Sequence, residues 1–276
     1  MMPDLLIHSM AEFSDLIVEA LDIAGARELC EIGAEYGGMS TILADYAAAQ
    51  GGRLTSIDPC PKPEFCDWVA GLDHVRHLAK PSLEALDEVS GVDAWLIDGD
   101  HNWFTVYNEL KRIEAACRRD GKPLLAFLHD VGWPSGRRDM YYAPERIPAA
   151  FRHPSSAEGG ALPGHPGLVA HRGFRGMGHF SWAVQEGGPR NGVLTAVEDF
   201  IDEVRGQGGG IAFAEVPAVF GLGILFDTDA SWGQDLAALV IPYHENRLLR
   251  RLEENRLDNY LAVIDWQDRD AERRAG

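Results

Sequence analysis

The chain has 276 residues, with 43 acidic residues (Asp and Glu), 25 basic residues (Lys and Arg) and a formal charge of −18 at pH 7. Such a field repels a nucleic-acid backbone and an anionic membrane surface, so we predict neither as a partner. The N-terminal stretch MMPDLLIHSMAEF lacks the features of a signal peptide, and no window reaches the roughly 18 apolar residues of a membrane span. We therefore expect a cytoplasmic protein, with its four cysteines as reduced thiols.

Five short β-like runs alternate with helical segments in the first half of the chain. Among the helical segments, WFTVYNELKRIEAACRR carries apolar residues at three- and four-residue spacing. This alternation predicts an α/β domain with a parallel sheet. The runs are RELCEIG from Arg27, RLTSID from Arg53, VRHLA from Val75, DAWLIDGD from Asp93 and LLAFLHD from Leu124.

The regular pattern stops after Asp130 and returns only near residue 192. The intervening segment is rich in Pro, Gly, Arg and aromatic residues, which is typical of a lid, a binding loop or a disordered segment. GVLTAVEDFIDEVR then predicts a helix, and GIAFAEV and GLGILFD, joined by PAVF, predict a hairpin at the end of the sheet. From Gln234 onward we predict helix, which would cover a sheet edge or pair with a second subunit.

The stretch EIGAEYGGMS places Gly33, Gly37 and Gly38 in a turn between the first strand and a helix. It does not spell the G-x-G-x-x-G pattern of nicotinamide-dependent reductases. Glu31 and Glu35 flank the turn and would oppose a pyrophosphate, whereas a cationic ligand would favour them. Asp58 ends the second strand, where a carboxylate can accept hydrogen bonds from ribose hydroxyls.

These motifs resemble those of the class I S-adenosylmethionine-dependent methyltransferases: EIGAEYGGMS resembles their first motif, SIDP their acidic second strand, and DAWLIDGDH the end of their fourth strand. The resemblance implies a Rossmann-like α/β fold with a mostly parallel seven-stranded sheet, an antiparallel last strand and an inserted lid-like segment. We predict a single domain, 1–276. It comprises a cofactor-binding core at 26–130, an acceptor-binding insertion at 131–191, and a hairpin with a C-terminal helix at 192–276.

The resemblance also implies a binding site for S-adenosylmethionine, with S-adenosylhomocysteine as the product. Gly33, Gly37 and Gly38 would face the methionine portion, with Glu31 near its ammonium group and Asp58 at the ribose. Ser82 would contact adenine, or alternatively would be the N-cap of a helix that contains LEAL. The implied cofactor site also includes Glu35, Tyr36, Ser40, Asp98 and Gly99.

Acidic residues and histidines follow the fourth and fifth predicted strands: Asp98, Asp100 and His101 in IDGDH, and His129 and Asp130 in LHD. Because parallel strands end at the same edge of a sheet, these side chains should lie together beside the cofactor, and about three of them should act. We predict His101 as the general base, with a pKa near the usual 6.5, assisted by Asp98.

Asp98, His129 and Asp130 could also bind a divalent cation, with Mg²⁺ as the candidate. This arrangement resembles the metal-dependent sugar O-methyltransferases of macrolide biosynthesis, which carry an aspartate and a histidine three apart after strand four and an acidic pair after strand five. His129 departs from that pair and suits Mg²⁺ less well than a carboxylate would. The alternative is that Asp98 and Asp130 cap loops or orient His101.

In the insertion, GRRDMYY offers four residues for stacking on and hydrogen-bonding a small-molecule acceptor: Arg137, Arg138, Tyr141 and Tyr142. The alternative is a surface loop with an Arg–Asp pair. We predict an O-methyltransferase for a sugar or glycosylated natural product. Three alternatives remain at this stage: an N-methyltransferase, a non-catalytic cofactor-binding or scaffold protein, and a nicotinamide-dependent reductase. The C-terminal helix or the insertion would provide the contact in a homo-oligomer.

Overall fold

The structure is a computed structural model that describes residues 6–275. The first five residues of the N-terminal stretch, and both ends of the predicted 1–276 domain, lie outside this part of the chain. Across the described residues, no helix is both long and apolar enough to cross a membrane. The four cysteines are free thiols, as predicted.

A seven-stranded sheet forms the centre of the protein, in the order β11-β12-β5-β4-β1-β2-β3. All five runs predicted in the first half are strands, and they pair in parallel. The strands are β1 (Glu28–Ile32), β2 (Arg53–Ile57), β3 (Val75–Leu78), β4 (Ala94–Ile97), β5 (Leu125–His129), β6 (Met140–Tyr141), β7 (Ser155–Ser156), β8 (Gly159–Gly160), β9 (Val169–Ala170), β10 (Ser181–Ala183), β11 (Ile211–Val216) and β12 (Leu222–Asp227).

Helices cover both faces of the sheet, so its central strands are buried almost throughout, as expected for a parallel sheet. One core cluster packs the sheet against α5 and α6, and the other packs it against α1, α2 and α7. The helices are α1 (Ser14–Ala24), α2 (Gly38–Ala49), α3 (Pro63–Val69), α4 (Ser82–Ala85), α5 (Trp103–Asp120), α6 (Val193–Gly206), α7 (Gly233–Val240) and α8 (Arg247–Ala275).

β12 is antiparallel to both of its neighbours, β5 and β11. It is the last strand in sequence but lies inside the sheet, between β5 and the edge strand β11. The predicted hairpin and the mostly parallel sheet with one antiparallel strand are therefore confirmed. Two helices follow this hairpin where one helical tail was predicted, and the chain turns between them at 241–246.

The insertion is ordered into two small sheets, β6-β10-β7 and β8-β9. The buried carboxylate of Asp139 fastens it to the core. Its Oδ1 accepts hydrogen bonds from the backbone N–H groups of Trp103 and Gly192, each at 2.7 Å, and its Oδ2 accepts one from the Tyr141 hydroxyl at 2.7 Å. The N-termini of α5 and α6 thus meet the insertion at one side chain.

We expect Asp139→Ala to lower the free energy of unfolding by about 3 kcal/mol, because several buried donors would lose a charged acceptor. Chemical denaturation monitored by circular dichroism measures this change. The control is Asp202→Ala on the exposed side of α6, where a change below about 0.5 kcal/mol is expected. Equal effects in the two variants would contradict the anchoring role of Asp139.

Candidate active site

The glycine turn after β1 is built for close approach to the neighbouring strand. Gly33 has a φ of +91°, and a Cβ atom at this position would lie 2.2 Å from the carbonyl oxygen of Asp98. Gly37 has a φ of +84° and precedes the first residue of α2. At position 33 only glycine combines a positive φ with such a close approach to the Asp98 carbonyl, so the turn lies directly against the end of β4.

Asp58, at the end of β2, holds this turn in place. Its Oδ2 accepts hydrogen bonds from the backbone N–H groups of Ala34 and Glu35, each at 3.0 Å, and its Oδ1 accepts one from Cys60 at 2.8 Å. A carboxylate offers about four acceptor positions, so ribose hydroxyls would share it with the backbone. Asp58 is thus placed to organise the turn as well as to bind the ribose predicted from the sequence.

Glu31 lies buried beneath the turn, where its Oε2 accepts hydrogen bonds from the hydroxyls of Ser40 at 2.6 Å and Ser56 at 2.9 Å. Burial raises the pKa of Glu31 to about 7, against the opposing effect of the two hydroxyls. Glu31 therefore changes charge close to neutral pH. Ser40, predicted as a cofactor residue, is placed to orient this carboxyl group.

The other predicted cofactor residues lie around the same edge of the sheet. Tyr36 is 62% exposed, with the Lys62 ammonium 5.4 Å from its ring centre, and Glu35 beside it is exposed with a φ of +45°. Ser82 is the first residue of α4 rather than its N-cap, and its side chain makes no cap hydrogen bond. The helix-cap interpretation of Ser82 is therefore wrong. The remaining predicted residues, Gly38 and Gly99, begin α2 and follow β4 respectively.

Four of the five polar residues predicted at the ends of β4 and β5 converge. His101 Nε2 lies 2.7 Å from Asp130 Oδ2 and 3.5 Å from Asp98 Oδ1, while His129 Nδ1 lies 3.1 Å from Asp98 Oδ1. Asp100 turns away, and its Oδ2 accepts a hydrogen bond from a hydroxyl at the start of α5. The two neighbouring strands thus bring two carboxylates and two imidazoles together.

The ring of His129 is oriented from behind by a backbone carbonyl. Its Nε2 lies 2.9 Å from the carbonyl oxygen of Val219, in the loop between β11 and β12. Because a carbonyl can only accept, Nε2 must carry the proton, and Nδ1 faces Asp98. A metal-binding histidine is typically held in this way, with its second nitrogen donating to a carbonyl.

The mutual attraction of these groups changes their charge states. Burial lowers the pKa of His101, but the charge of Asp130 and the hydrogen bonds to Asp130 and Asp98 together outweigh burial and place this pKa well above its usual value. Burial likewise opposes the rise of the His129 pKa to about 9, which Asp98 and Asp130 cause. The predicted pKa near 6.5 for His101 is therefore wrong, because its carboxylate neighbours stabilise the imidazolium form.

One ligand atom each from Asp98, His129 and Asp130 can be chosen such that all three lie within 4.8 Å of one another. These are the three residues predicted from the sequence to bind a metal. Asp130 has a φ of +59°, an uncommon backbone conformation for a residue other than glycine. Such conformations cluster at functional sites, because the surrounding structure must stabilise them.

Two of the predicted acceptor residues have structural roles instead. The Arg138 side chain is buried, with its guanidinium donating to the carbonyl oxygens of Ala183 at 2.6 Å and Pro166 at 2.9 Å. Tyr141 is also buried and donates its hydroxyl hydrogen to Asp139. Neither side chain can stack on an acceptor, so that assignment is corrected: both stabilise the insertion.

The other two predicted acceptor residues are accessible. Arg137 forms a two-point ion pair with Glu198 of α6 at 2.5 and 2.7 Å. Tyr142 is 53% exposed, and its ring centre lies 6.1 Å from that of His101 and 6.1 Å from that of Phe180. Tyr142 is thus a predicted acceptor residue that is both exposed and close to His101.

The Val219 carbonyl and the Asp139 carboxylate were not identified from the sequence. A backbone carbonyl has no residue type that would mark it, and the PAVF link was recognised only as a hairpin connection. Asp139 lies within GRRDMYY, where only the arginines and tyrosines were predicted to bind a ligand. A buried acidic residue could be recognised there only from the fold.

Residues 30–131, from β1 to just beyond β5, match a family model described as a methyltransferase domain. This segment is a methyltransferase domain. The match covers somewhat more than a third of the chain and includes the glycine turn, Asp58 and the residues that converge after β4 and β5. The match agrees with the predicted family over this segment, and the observed order of the seven-stranded sheet confirms the predicted fold.

Several solved structures are similar to this chain at low sequence identity. S-adenosylhomocysteine-bound PaMTH1 from Podospora anserina has a TM-score of 0.48 at 15% identity, over 81% of this chain and 80% of that chain. The O-methyltransferase TomG from Streptomyces achromogenes, solved with S-adenosylmethionine, scores 0.45 at 16% identity over 82% of each chain. A Bacillus cereus O-methyltransferase scores 0.45 at 14% identity, over 81% and 84%. No curated protein sequence matches the chain.

We expect Asp58→Ala to weaken S-adenosylhomocysteine binding by about 2 kcal/mol, or roughly thirtyfold in Kd, because both the ribose acceptor and the support of the turn are lost. Isothermal titration calorimetry measures this change. Asp58→Asn, which keeps one acceptor oxygen, should lose less affinity. An unchanged Kd in folded Asp58→Ala would remove this residue from the cofactor site.

The raised pKa of Glu31 predicts that cofactor affinity depends on pH. The ionised carboxylate attracts the cofactor ammonium and the protonated form does not, so affinity should rise roughly fivefold to tenfold between pH 6 and 7.5. Glu31→Gln should bind more weakly at pH 7.5 and show a flat profile over this interval. A profile that is as steep in Glu31→Gln as in the unmodified protein would assign the titration to another group.

Proposed function

We propose that the protein is an O-methyltransferase that transfers the methyl group of S-adenosylmethionine to a hydroxyl group of a small molecule, at a site where Asp98, His129 and Asp130 bind a divalent cation. The observation that carries this proposal is the convergence of these three side chains beside the glycine turn. The Cβ position of Gly33 lies against the Asp98 carbonyl, so the cofactor turn and the candidate cation ligands share one edge of the sheet.

The donor set fits a divalent cation. Two carboxylates suit hard cations such as Mg²⁺ and Mn²⁺, and an imidazole favours Mn²⁺ over Mg²⁺ within that class. The hydrogen bond from His129 Nε2 to Val219 points Nδ1 at the other two ligands. This nitrogen would release its proton on binding, as histidine ligands do. When bound, the cation would orient the acceptor hydroxyl and lower its pKa.

The converging side chains of Asp98, Asp130 and the two histidines favour oxygen over nitrogen as the methyl acceptor. An amine that arrives neutral needs little help with its proton, whereas a hydroxyl must lose its proton as the methyl group is transferred. The carboxylates of Asp98 and Asp130, with His101 between them, supply acidic and basic groups at this edge. His101 can accept a proton only after losing its own, so the carboxylates are alternative proton acceptors.

The remaining residues bind and orient the reactants. Glu31 and Asp58 would hold the ammonium and ribose groups of the cofactor, which places its methyl group near the ends of β4 and β5. Tyr142 provides an exposed aromatic face beside His101 for an acceptor such as a sugar or a glycosylated natural product. Catalysis would then come mainly from alignment of the hydroxyl oxygen with the sulfonium methyl group.

We expect the protein to act in the cytoplasm on a small-molecule acceptor, without nucleic acid or membrane as a partner. A homo-oligomer would form through the C-terminal helix or the insertion.

The proposal is tested with methyl-labelled S-adenosylmethionine and a panel of polyhydroxylated small molecules, each paired with its amino analogue. We expect label transfer to hydroxyl compounds that is lost with excess chelator and restored by Mg²⁺ or Mn²⁺. Asp98→Asn should reduce this rate at least a hundredfold, whereas Asp87→Asn, on the exposed surface paired with Arg112, should leave it unchanged.

Three other outcomes would overturn parts of the proposal. Transfer to the amines alone would make the protein an N-methyltransferase. Full turnover in excess chelator would remove the cation. Binding of S-adenosylhomocysteine without transfer to any compound would favour the non-catalytic alternative.

A further inference from the structure

The loop between β11 and β12 has an unusual backbone where it touches the candidate cation site. Val219 and Phe220 have φ angles of +45° and +65°, and Gly221 follows at +90°. A β-branched and an aromatic residue rarely adopt this left-handed conformation, because the Cβ atom crowds the backbone. The Val219 carbonyl that orients His129 therefore belongs to a turn in which Val219 and Phe220 adopt a backbone conformation that their side chains disfavour.

One side chain of α8 binds two consecutive backbone amides of this turn. The carboxylate of Glu253 accepts the backbone N–H of Val219 at Oε2 and that of Phe220 at Oε1, each at 2.9 Å. Two hydrogen bonds from consecutive amides to one carboxylate fix the orientation of the peptide group between them. That peptide group carries the Val219 carbonyl, which accepts the hydrogen bond from His129 Nε2.

Glu253 is itself held rigidly. Arg256 donates to both of its oxygens, from Nε at 2.6 Å and from a terminal nitrogen at 2.7 Å, and the guanidinium lies 4.4 Å from the ring centre of Phe220. The side chains of Glu253 and Arg256 are only 12% and 17% exposed. Such a shielded, two-point pair is worth far more than a surface ion pair.

We propose that Glu253 is a positioning residue for the candidate cation site: through the turn at Val219 it fixes the proton of His129 on Nε2 and leaves Nδ1 to face Asp98 and Asp130. This inference rests on the proposed function for the cation itself. It gives the C-terminal helix a role in the site, although α8 lies more than a hundred residues beyond the part of the chain that matches the methyltransferase family.

The variant that tests this role is Glu253→Gln, whose side-chain amide can accept only one of the two backbone hydrogen bonds. The control is Glu254→Gln, the same change one residue further along α8, where Glu254 pairs with Arg251 on the exposed face. Titration with Mn²⁺, followed by electron paramagnetic resonance, gives the Kd for the cation. We expect Glu253→Gln to weaken Mn²⁺ binding roughly tenfold to a hundredfold, and Glu254→Gln to leave it unchanged.

A second measurement does not depend on the cation. In the unmodified protein the Nε2–H proton of His129, bonded to the Val219 carbonyl, should give a slowly exchanging downfield proton resonance in nuclear magnetic resonance spectra. We expect Glu253→Gln to lose or broaden this resonance and Glu254→Gln to retain it. If the unmodified protein binds no Mn²⁺, the cation of the proposed function is overturned, and this resonance alone decides the positioning role.

Glu253→Asp keeps two acceptor oxygens on a shorter side chain and should show the same changes to a smaller extent. It serves as the test variant if Glu253→Gln does not fold. The proposal is overturned if folded Glu253→Gln keeps both the Mn²⁺ affinity and the His129 resonance of the unmodified protein. Loss of folding in both Glu253 variants would also overturn it, because Glu253 would then serve the stability of the fold.

Discussion

Two carboxylates at the ends of adjacent strands must share one partly buried site, and the surrounding structure depends on how their charge is balanced. Asp98 and Asp130 both approach His101, and His129 contacts Asp98 as well. Negative charges held this close in a low-dielectric setting require a cation nearby. Here the two imidazoles supply that charge, which explains the raised pKa values of both histidines. A divalent cation would meet the same requirement with one ion.

The fold brings these charges together through strand order and through support from distant segments. β4 and β5 are parallel neighbours, so Asp98 and Asp130 follow strands that end at one edge. The glycine turn after β1 packs against the same edge, because Gly33 allows direct contact with Asp98. The β11–β12 loop completes the site from the far side, where Val219 orients His129. Each of these segments contributes one constraint that the others do not replace.

Much of this could be predicted from the sequence, because it depends on local pattern. Apolar runs and helical spacing predicted the parallel strands and the hairpin. The rule that ligands bind at the ends of parallel strands predicted that Asp98, His101, His129 and Asp130 lie close together. The sequence could not show that Asp130 would raise the pKa of His101, since that shift depends on a distance between side chains. Arg138 and Tyr141 were misassigned for a related reason. Arginine and tyrosine are typical of binding loops, but here the insertion folds over them.

The central claim is that the cofactor methyl group and the candidate cation site lie beside each other at one edge of the sheet. Paramagnetic relaxation tests it directly: the protein is loaded with S-adenosylmethionine carrying a ¹³C-labelled methyl group, and Mn²⁺ is added in place of Mg²⁺. Our account predicts strong broadening of the methyl resonance that Asp98→Asn abolishes. A bound methyl resonance that stays sharp at saturating Mn²⁺, or that broadens equally in Asp98→Asn, would contradict it.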